Sequence, residues 1–399
     1  MIDPNAPAGL YIHVPFCLRK CAYCDFCSYA GLGHLHADYV RALCLEVGAR
    51  ASTLCGREPV WRDVRFDTVF VGGGTPTVLA PSEIACVLDV CRQHLDISED
   101  AEITVEANPG TVDETSLRAL RAAGVNRLSL GVQSLRDDEL ALLGRIHSAA
   151  QARGALDAAR RVGFENINLD LIYGLPGQPL KSWRETLTQV VTLGPEHLSL
   201  YGLSVEEHTP LAARIAAGKL PPPDDEIAAD MYELAEQMLE ASGYVHYEIS
   251  NWARKETSLV DKFPPRLACR HNLKYWHNER YLGIGASACS YDGERRVTNV
   301  WDPTEYIERI EHGGITISEW DETDADTRMD ETMMLGLRLV EGVSNRRFEA
   351  RFGALLDAVY GSRIEALVRD GLLVQDVCGI RLTARGRLLG NRVFAEFLR

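Results

Sequence analysis

From residue 10 to about residue 205 the chain alternates short apolar runs with longer stretches whose apolar positions recur every three or four residues. The short runs are GLYIHV from Gly9, DTVFVGGG from Asp67, EITVEANP from Glu102, RLSLGVQ from Arg127, NINLDLIYGLP from Asn166 and HLSLYGLS from His197. Their length and β-branched content are those of strands. Between them, SEIACVLDVCRQHL from Ser82 and DETSLRALRAAG from Asp113 carry the helical period, and the second closes on a glycine stop. Six strand-then-helix repeats predict an α/β fold with a parallel sheet, a partial (β/α)6 relative of the eight-stranded TIM barrel. Polar and glycine residues gather at or just beyond the strand ends: the cysteines after the first, GGGTPT after the second, Glu106 to Pro109 after the third, Gln133 after the fourth, Asp170 and GLPG around the fifth. In parallel α/β folds that rim carries the site and the opposite rim carries stability.

The prolines of KLPPPDDE, residues 219–226, mark a boundary, and a helix is expected from about Ile227 to Ser242. From Pro303 to Arg399 the pattern is mostly helical, with a short pair of strands in GLLVQDVCGIRLTARGRLL that reads as a winged-helix turn. The expected organisation is a barrel over residues 1–225, a connecting segment over 226–302 and a smaller, mostly helical C-terminal domain over 303–399.

A hydrophobic content of 46% and a charged content of 25% are those of a globular protein. A net charge of −15 disfavours a nucleic-acid partner, because phosphate contacts need clustered Lys and Arg. No apolar run approaches the ~18 residues of a membrane span, and the N-terminus lacks a signal-peptide pattern, so a cytosolic location is expected. In that compartment eleven cysteines are expected as thiols. Cys44, Cys55, Cys86, Cys91 and Cys378 fall in apolar or helical contexts and are expected to pack as small hydrophobes.

The remaining cysteines raise a chemical question. In YIHVPFCLRKCAYCDFCSY, residues 11–29, Cys17, Cys21, Cys24 and Cys27 crowd one short loop. Thiolates spaced C-x3-C-x2-C can each ligate a different iron of a cubane and leave the fourth iron without a protein ligand. The alternative is a structural zinc site, which wants four ligands, usually in separated Cys-x2-Cys pairs. The run Gly72, Gly73, Gly74, Thr75 follows a strand directly and lets backbone groups approach a ligand closely. It is no P-loop, because the Lys-Ser/Thr pair is absent.

The segment from Tyr11 to Cys24 resembles the radical S-adenosylmethionine (SAM) superfamily in its HemN/HemW branch, and so do EANPGT, LGRIHS and the tail from ETMMLGLRL to RGRLL. The resemblance implies a radical SAM barrel with a HemN-type C-terminal domain. It implies a [4Fe-4S] cluster on Cys17, Cys21 and Cys24, with SAM on the open iron. One electron from the reduced cluster, delivered by a flavodoxin or ferredoxin, would cleave the sulfonium bond to a 5′-deoxyadenosyl radical. Carried over by position, SAM would be held by Gly72, Gly73, Gly74, Thr75, Glu106, Gln133, Arg145 and Asp170, with Tyr11, Tyr23 and Ser204 as further contacts. The run His271-Asn-Leu-Lys-Tyr275-Trp276 resembles the HNxxYW element that HemW-type proteins associate with heme.

Within the branch, coproporphyrinogen oxidases carry a long N-terminal extension and a fourth cysteine where this chain has Phe26; Cys27 comes one position late. The resemblance is therefore to HemW-type heme chaperones, which bind heme and pass it to acceptor proteins. Two departures stand out: Cys289 replaces a usual histidine within Ser287-Ala-Cys289-Ser, and the segment from Lys255 to Leu267 reads as an insertion. A class C radical SAM methyltransferase using two SAM molecules on a small heterocycle, and a zinc-bound structural protein, are the rival readings.

Overall fold

The computed structural model describes residues 6–52, 61, 63–255 and 263–399. Cys55 and residues 256–262 of the expected insertion lie outside the described residues. All six predicted strands form: Ala8–Val14 (β1), Arg65–Gly73 (β2), Asp96–Ala107 (β3), Arg127–Gln133 (β4), Ile167–Tyr173 (β5) and His197–Gly202 (β6). Each lies parallel to its successor.

The sheet continues past both ends of this set. Tyr244–Glu248 (β7) and Asn251–Arg254 (β8) add antiparallel strands beyond β6. Tyr281–Ile284 (β9) lies parallel to β1 on the opposite side, followed outward by Cys289–Tyr291 (β10), Arg295–Asn299 (β11) and Ile317–Glu322 (β12). The order is β12-β11-β10-β9-β1-β2-β3-β4-β5-β6-β8-β7. Residues 226–302, expected as a connection, thus furnish strands at both margins, and β12 comes from the segment expected as a helical domain.

Helices pack against the sheet in one shared core, and local chemistry fixes their ends. Helix Glu114–Ala122 starts at Asp113, whose carboxylate accepts from Ser116 N at 2.7 Å while the Ser116 hydroxyl accepts from Asp113 N at 2.9 Å. Helix Pro81–His94 presents Ile84, Val87, Leu88 and Cys91 to the core at helical spacing. Cys91 packs as expected, whereas Cys86 falls on the other face and is exposed, as is Cys378 in the turn before the last strand. The expected helix near residue 227 runs over Asp225–Ala241.

A second apolar cluster, from Met333 to Phe397, forms its own core around Phe348, Tyr360, Ile364 and Phe394. Its small sheet pairs Gly379–Leu382 with Leu373–Gln375, the expected terminal pair, and with Val343–Ser344.

Candidate functional site

The cysteine loop leaves β1 and is fastened at several points. Gly74 N donates to Val14 O and Thr75 N to Phe16 O, both at 2.8 Å, which ties the glycine turn after β2 to the loop's start. Ala22 N donates to Leu143 O at 3.0 Å, and His13 Nε2 meets Cys27 O at 2.9 Å. The glycines are required here. A Cβ on Gly74 would stand 2.6 Å from Phe16 O, and Gly73 has φ +116° with His13 ring atoms 2.5 Å from where its Cβ would lie.

Cys17, Cys21 and Cys24 are partly exposed, and all three line one cavity of about 570 Å³. Among the described residues no three or more His, Cys, Asp or Glu side chains converge closely enough to hold a single metal ion. Three thiols on one cavity match in number the protein ligands of a cubane with one open iron. Burial pushes the Cys17 thiol up, opposed by the Thr75 hydroxyl 3.5 Å away. A bound metal reverses that cost by holding the thiolate. Arg145 brings positive charge to the same place: Nη1 lies 3.3 Å from Cys21 Sγ, and Nη2 is fixed on Gly131 O at 2.6 Å.

The cavity walls collect Gly73, Glu106, Asp170 and Gln133 from four different strands, Gly74, Thr75 and Ser204 from just past strand ends, Tyr23 from the cysteine loop and Arg145 from the turn after helix Asp137–Leu143. Gly72 sits just behind, where a Cβ would come within 2.9 Å of Glu106 Oε2. Gln133 ends β4 with φ +66°, a strained backbone for a non-glycine residue, beside a slip in the pairing of β4 with β5. The Glu106 carboxylate accepts from Gly73 N at 3.0 Å. Desolvation, then the nearby Asp170 charge, pushes its pKa up to about 8, so it carries a proton at neutral pH. Asp170 is also raised by burial, against hydrogen bonds from Asn168 Nδ2 at 2.8 Å and Ser129 Oγ at 3.1 Å. Ser204 Oγ donates to Glu206 at 2.5 Å.

Tyr11 does not reach this cavity. It lines a deeper chamber of about 170 Å³ that shares Glu106, Ser129, Asp170 and Tyr201 as walls with the larger one. Its hydroxyl bonds His13 Nδ1 at 2.9 Å. The structure also divides the HNLKYW element. His271 and Tyr275 turn into this inner chamber, where His271 is 1% exposed with Nδ1 bonded to Thr68 Oγ1 at 2.9 Å and Nε2 to Tyr275 OH at 3.0 Å. Trp276 faces a separate cleft of about 510 Å³ with His277, Arg347 and Phe348.

Residues 11–190 match the Radical SAM superfamily, and residues 323–389 match the HemN C-terminal domain. The chain is 39% identical to the heme chaperone HemW of Bacillus subtilis (strain 168) over 390 residues, 97% of this chain and 98% of that one. It is 36% identical to HemW of Escherichia coli (strain K12), with 98% of each chain covered. The chain belongs to the HemW family of radical SAM proteins. Among solved structures, coproporphyrinogen III oxidase (HemN) from Escherichia coli, described as a Radical SAM enzyme, superposes with a TM-score of 0.82 at 26% identity, covering 99% of this chain and 91% of that one. No helix among the described residues is long and apolar enough to cross a membrane.

This HemW-family site holds further residues to which the sequence alone assigns no binding role. Arg19, Lys20, Phe26, Asn108 and Glu206 line the large cavity, and Arg127, Asn168, Ser199 and Asn272 line the inner chamber. The strand residues among them were signalled by polar side chains at every second position of RLSL, NLDL and HLSL. Cys27 stands apart: its Sγ lies 3.8 Å from Tyr29 OH and 3.6 Å from Trp301 O. Cys289 Sγ lies 3.7 Å from Tyr281 OH, on β10.

Proposed function

We propose that this HemW-family chain carries a [4Fe-4S] cluster on Cys17, Cys21 and Cys24, binds SAM on the cluster's open iron, and takes up heme for transfer to acceptor proteins. The observation that carries the reading is the meeting of three cysteines, a glycine turn and two partly buried carboxyls on one cavity, in a chain alike end to end to proteins named heme chaperone HemW. When bound, the cluster and SAM supply one-electron reductive chemistry. The chain's own residues bind and orient: Gly72 to Thr75 shape the turn, Glu106 and Asp170 suit ribose hydroxyls, Arg145 suits a carboxylate, and Gln133, Tyr23 and Ser204 close the walls. A flavodoxin- or ferredoxin-type reductant, a heme-acceptor protein and a cytosolic location belong to the same reading.

Heme needs room. The inner chamber, at about 170 Å³, falls below the ~300 Å³ at which small-molecule pockets begin, and both nitrogens of His271 are engaged there. The reading therefore puts heme in the cleft of about 510 Å³, with Trp276 and Phe348 as apolar walls, Arg347 for a propionate and His277 for iron. Burial lowers the His277 pKa to about 4, so the imidazole is neutral and able to ligate at pH 7. His271 then positions Tyr275.

The test is heme titration of anaerobically reconstituted protein. A stoichiometric Soret band is expected, lost or shifted in His277→Ala and kept in His271→Ala. Wild-type protein without a Soret band overturns heme handling, and S-adenosylhomocysteine formed alongside 5′-deoxyadenosine would favour methyl transfer.

A further inference from the structure

Arg127, the first residue of β4, lines the inner chamber and is 2% exposed, yet the site described above gives it no task. Its Nε is buried without a hydrogen-bond partner, and no ion pair to its guanidinium is formed among the described residues. Thr104, its register partner on β3, likewise buries an unpartnered hydroxyl. The neighbouring carboxyls are committed elsewhere. Asp170 accepts from Ser129 and Asn168, Glu106 accepts from Gly73 N, and Glu102 accepts from His271 N at 3.3 Å and the Cys269 thiol at 3.7 Å. Glu102 and Asp170 favour the charged form of Arg127 at longer range, against its desolvation, but leave its donors without hydrogen-bond acceptors.

A guanidinium stays charged and offers five N–H donors in a rigid fork that matches the two oxygens of a carboxylate. Buried without acceptors, such a group is costly, so its retention points to a ligand that supplies them. Asn272, on the chamber wall, adds an amide donor. The volume of about 170 Å³ equals the liquid share of roughly six waters, which fits a short acid and excludes a macrocycle. The walls shared with the SAM cavity give the way in.

We propose that the barrel floor is a binding site for a short aliphatic carboxylate, recognised by Arg127. The inference needs neither heme nor SAM cleavage, so it stands or falls apart from the heme titration.

The probe is propionate, added before SAM to the cluster-loaded protein and followed by saturation-transfer NMR, with propionamide as its uncharged isostere. Saturable propionate binding is expected, with propionamide about tenfold weaker or more. Arg127→Met should abolish the signal while circular dichroism stays native, and Arg127→Lys should retain it at reduced affinity. Should Arg127→Met fail to fold, crystals soaked in propionate give a second reading: planar density against the guanidinium is expected. Equal binding of acid and amide, no propionate binding, propionate binding unchanged in a folded Arg127→Met, or soaked crystals with solvent alone at Arg127 each overturns the proposal.

Discussion

Along β4, Leu128, Leu130 and Val132 join the main core, while the intervening Arg127, Ser129 and Gly131 face the two cavities. The pattern repeats on β5, with Leu169 and Leu171 against Asn168 and Asp170, and on β6, with Leu198 and Leu200 against Ser199 and Tyr201. Parallel strands buried on both faces normally read as continuous apolar runs, and a TIM barrel fills its interior with branched side chains. Here one face of each strand supplies the burial that holds the fold, and the other gives up packing for polar groups around open space. Stability and chemistry are thus separated by one residue of register.

Changing faces at one strand should therefore give opposite phenotypes. The largest effect is expected for Leu169→Asp, which puts an unpaired carboxylate into the apolar core at a site 1% exposed. It should cost about 4 kcal/mol or more and leave little folded protein by circular dichroism.

Next comes Glu106, whose folded pKa of about 8 exceeds its ordinary 4.5. In cofactor-free protein the folded state binds the extra proton between those values, so this group's contribution falls as pH rises through the window, by up to about 1.4 kcal/mol per pH unit. The stability of Glu106→Gln relative to wild type, measured by urea unfolding, should rise from pH 5 to 8 and level off above. A flat difference would break the assignment. Asp170→Asn should keep the fold yet weaken SAM binding about 10- to 100-fold by calorimetry on reconstituted protein. Smallest, Ser129→Ala on the inward face should cost only about 1 kcal/mol in urea unfolding.

The six parallel strands were legible because their runs have strand length and are punctuated by helical periods. The outer strands were not. RRVTN and ISEWDE, which form β11 and β12, are short and largely polar, and their state is set by pairing rather than by pattern. In the site, the gathering of polar and glycine residues near strand ends was readable from fold logic, and their roles from the family resemblance. The inner column needed the period-2 alternation to be read as a face in its own right. The HNLKYW element divided for a geometric reason: His271 and Tyr275 are four residues apart on helix Arg270–Trp276 and share a face, whereas Trp276 is turned about 100° further round.

Anaerobic reconstitution, with iron and sulfide counts and electron paramagnetic resonance of the reduced protein before and after SAM, probes the cysteine loop most directly. About four irons and four sulfides per chain are expected, with a cubane signal that changes on adding SAM and disappears in Cys21→Ala. A cubane signal indifferent to SAM, a cluster that survives Cys21→Ala intact, or a single zinc in place of iron would contradict the assignment.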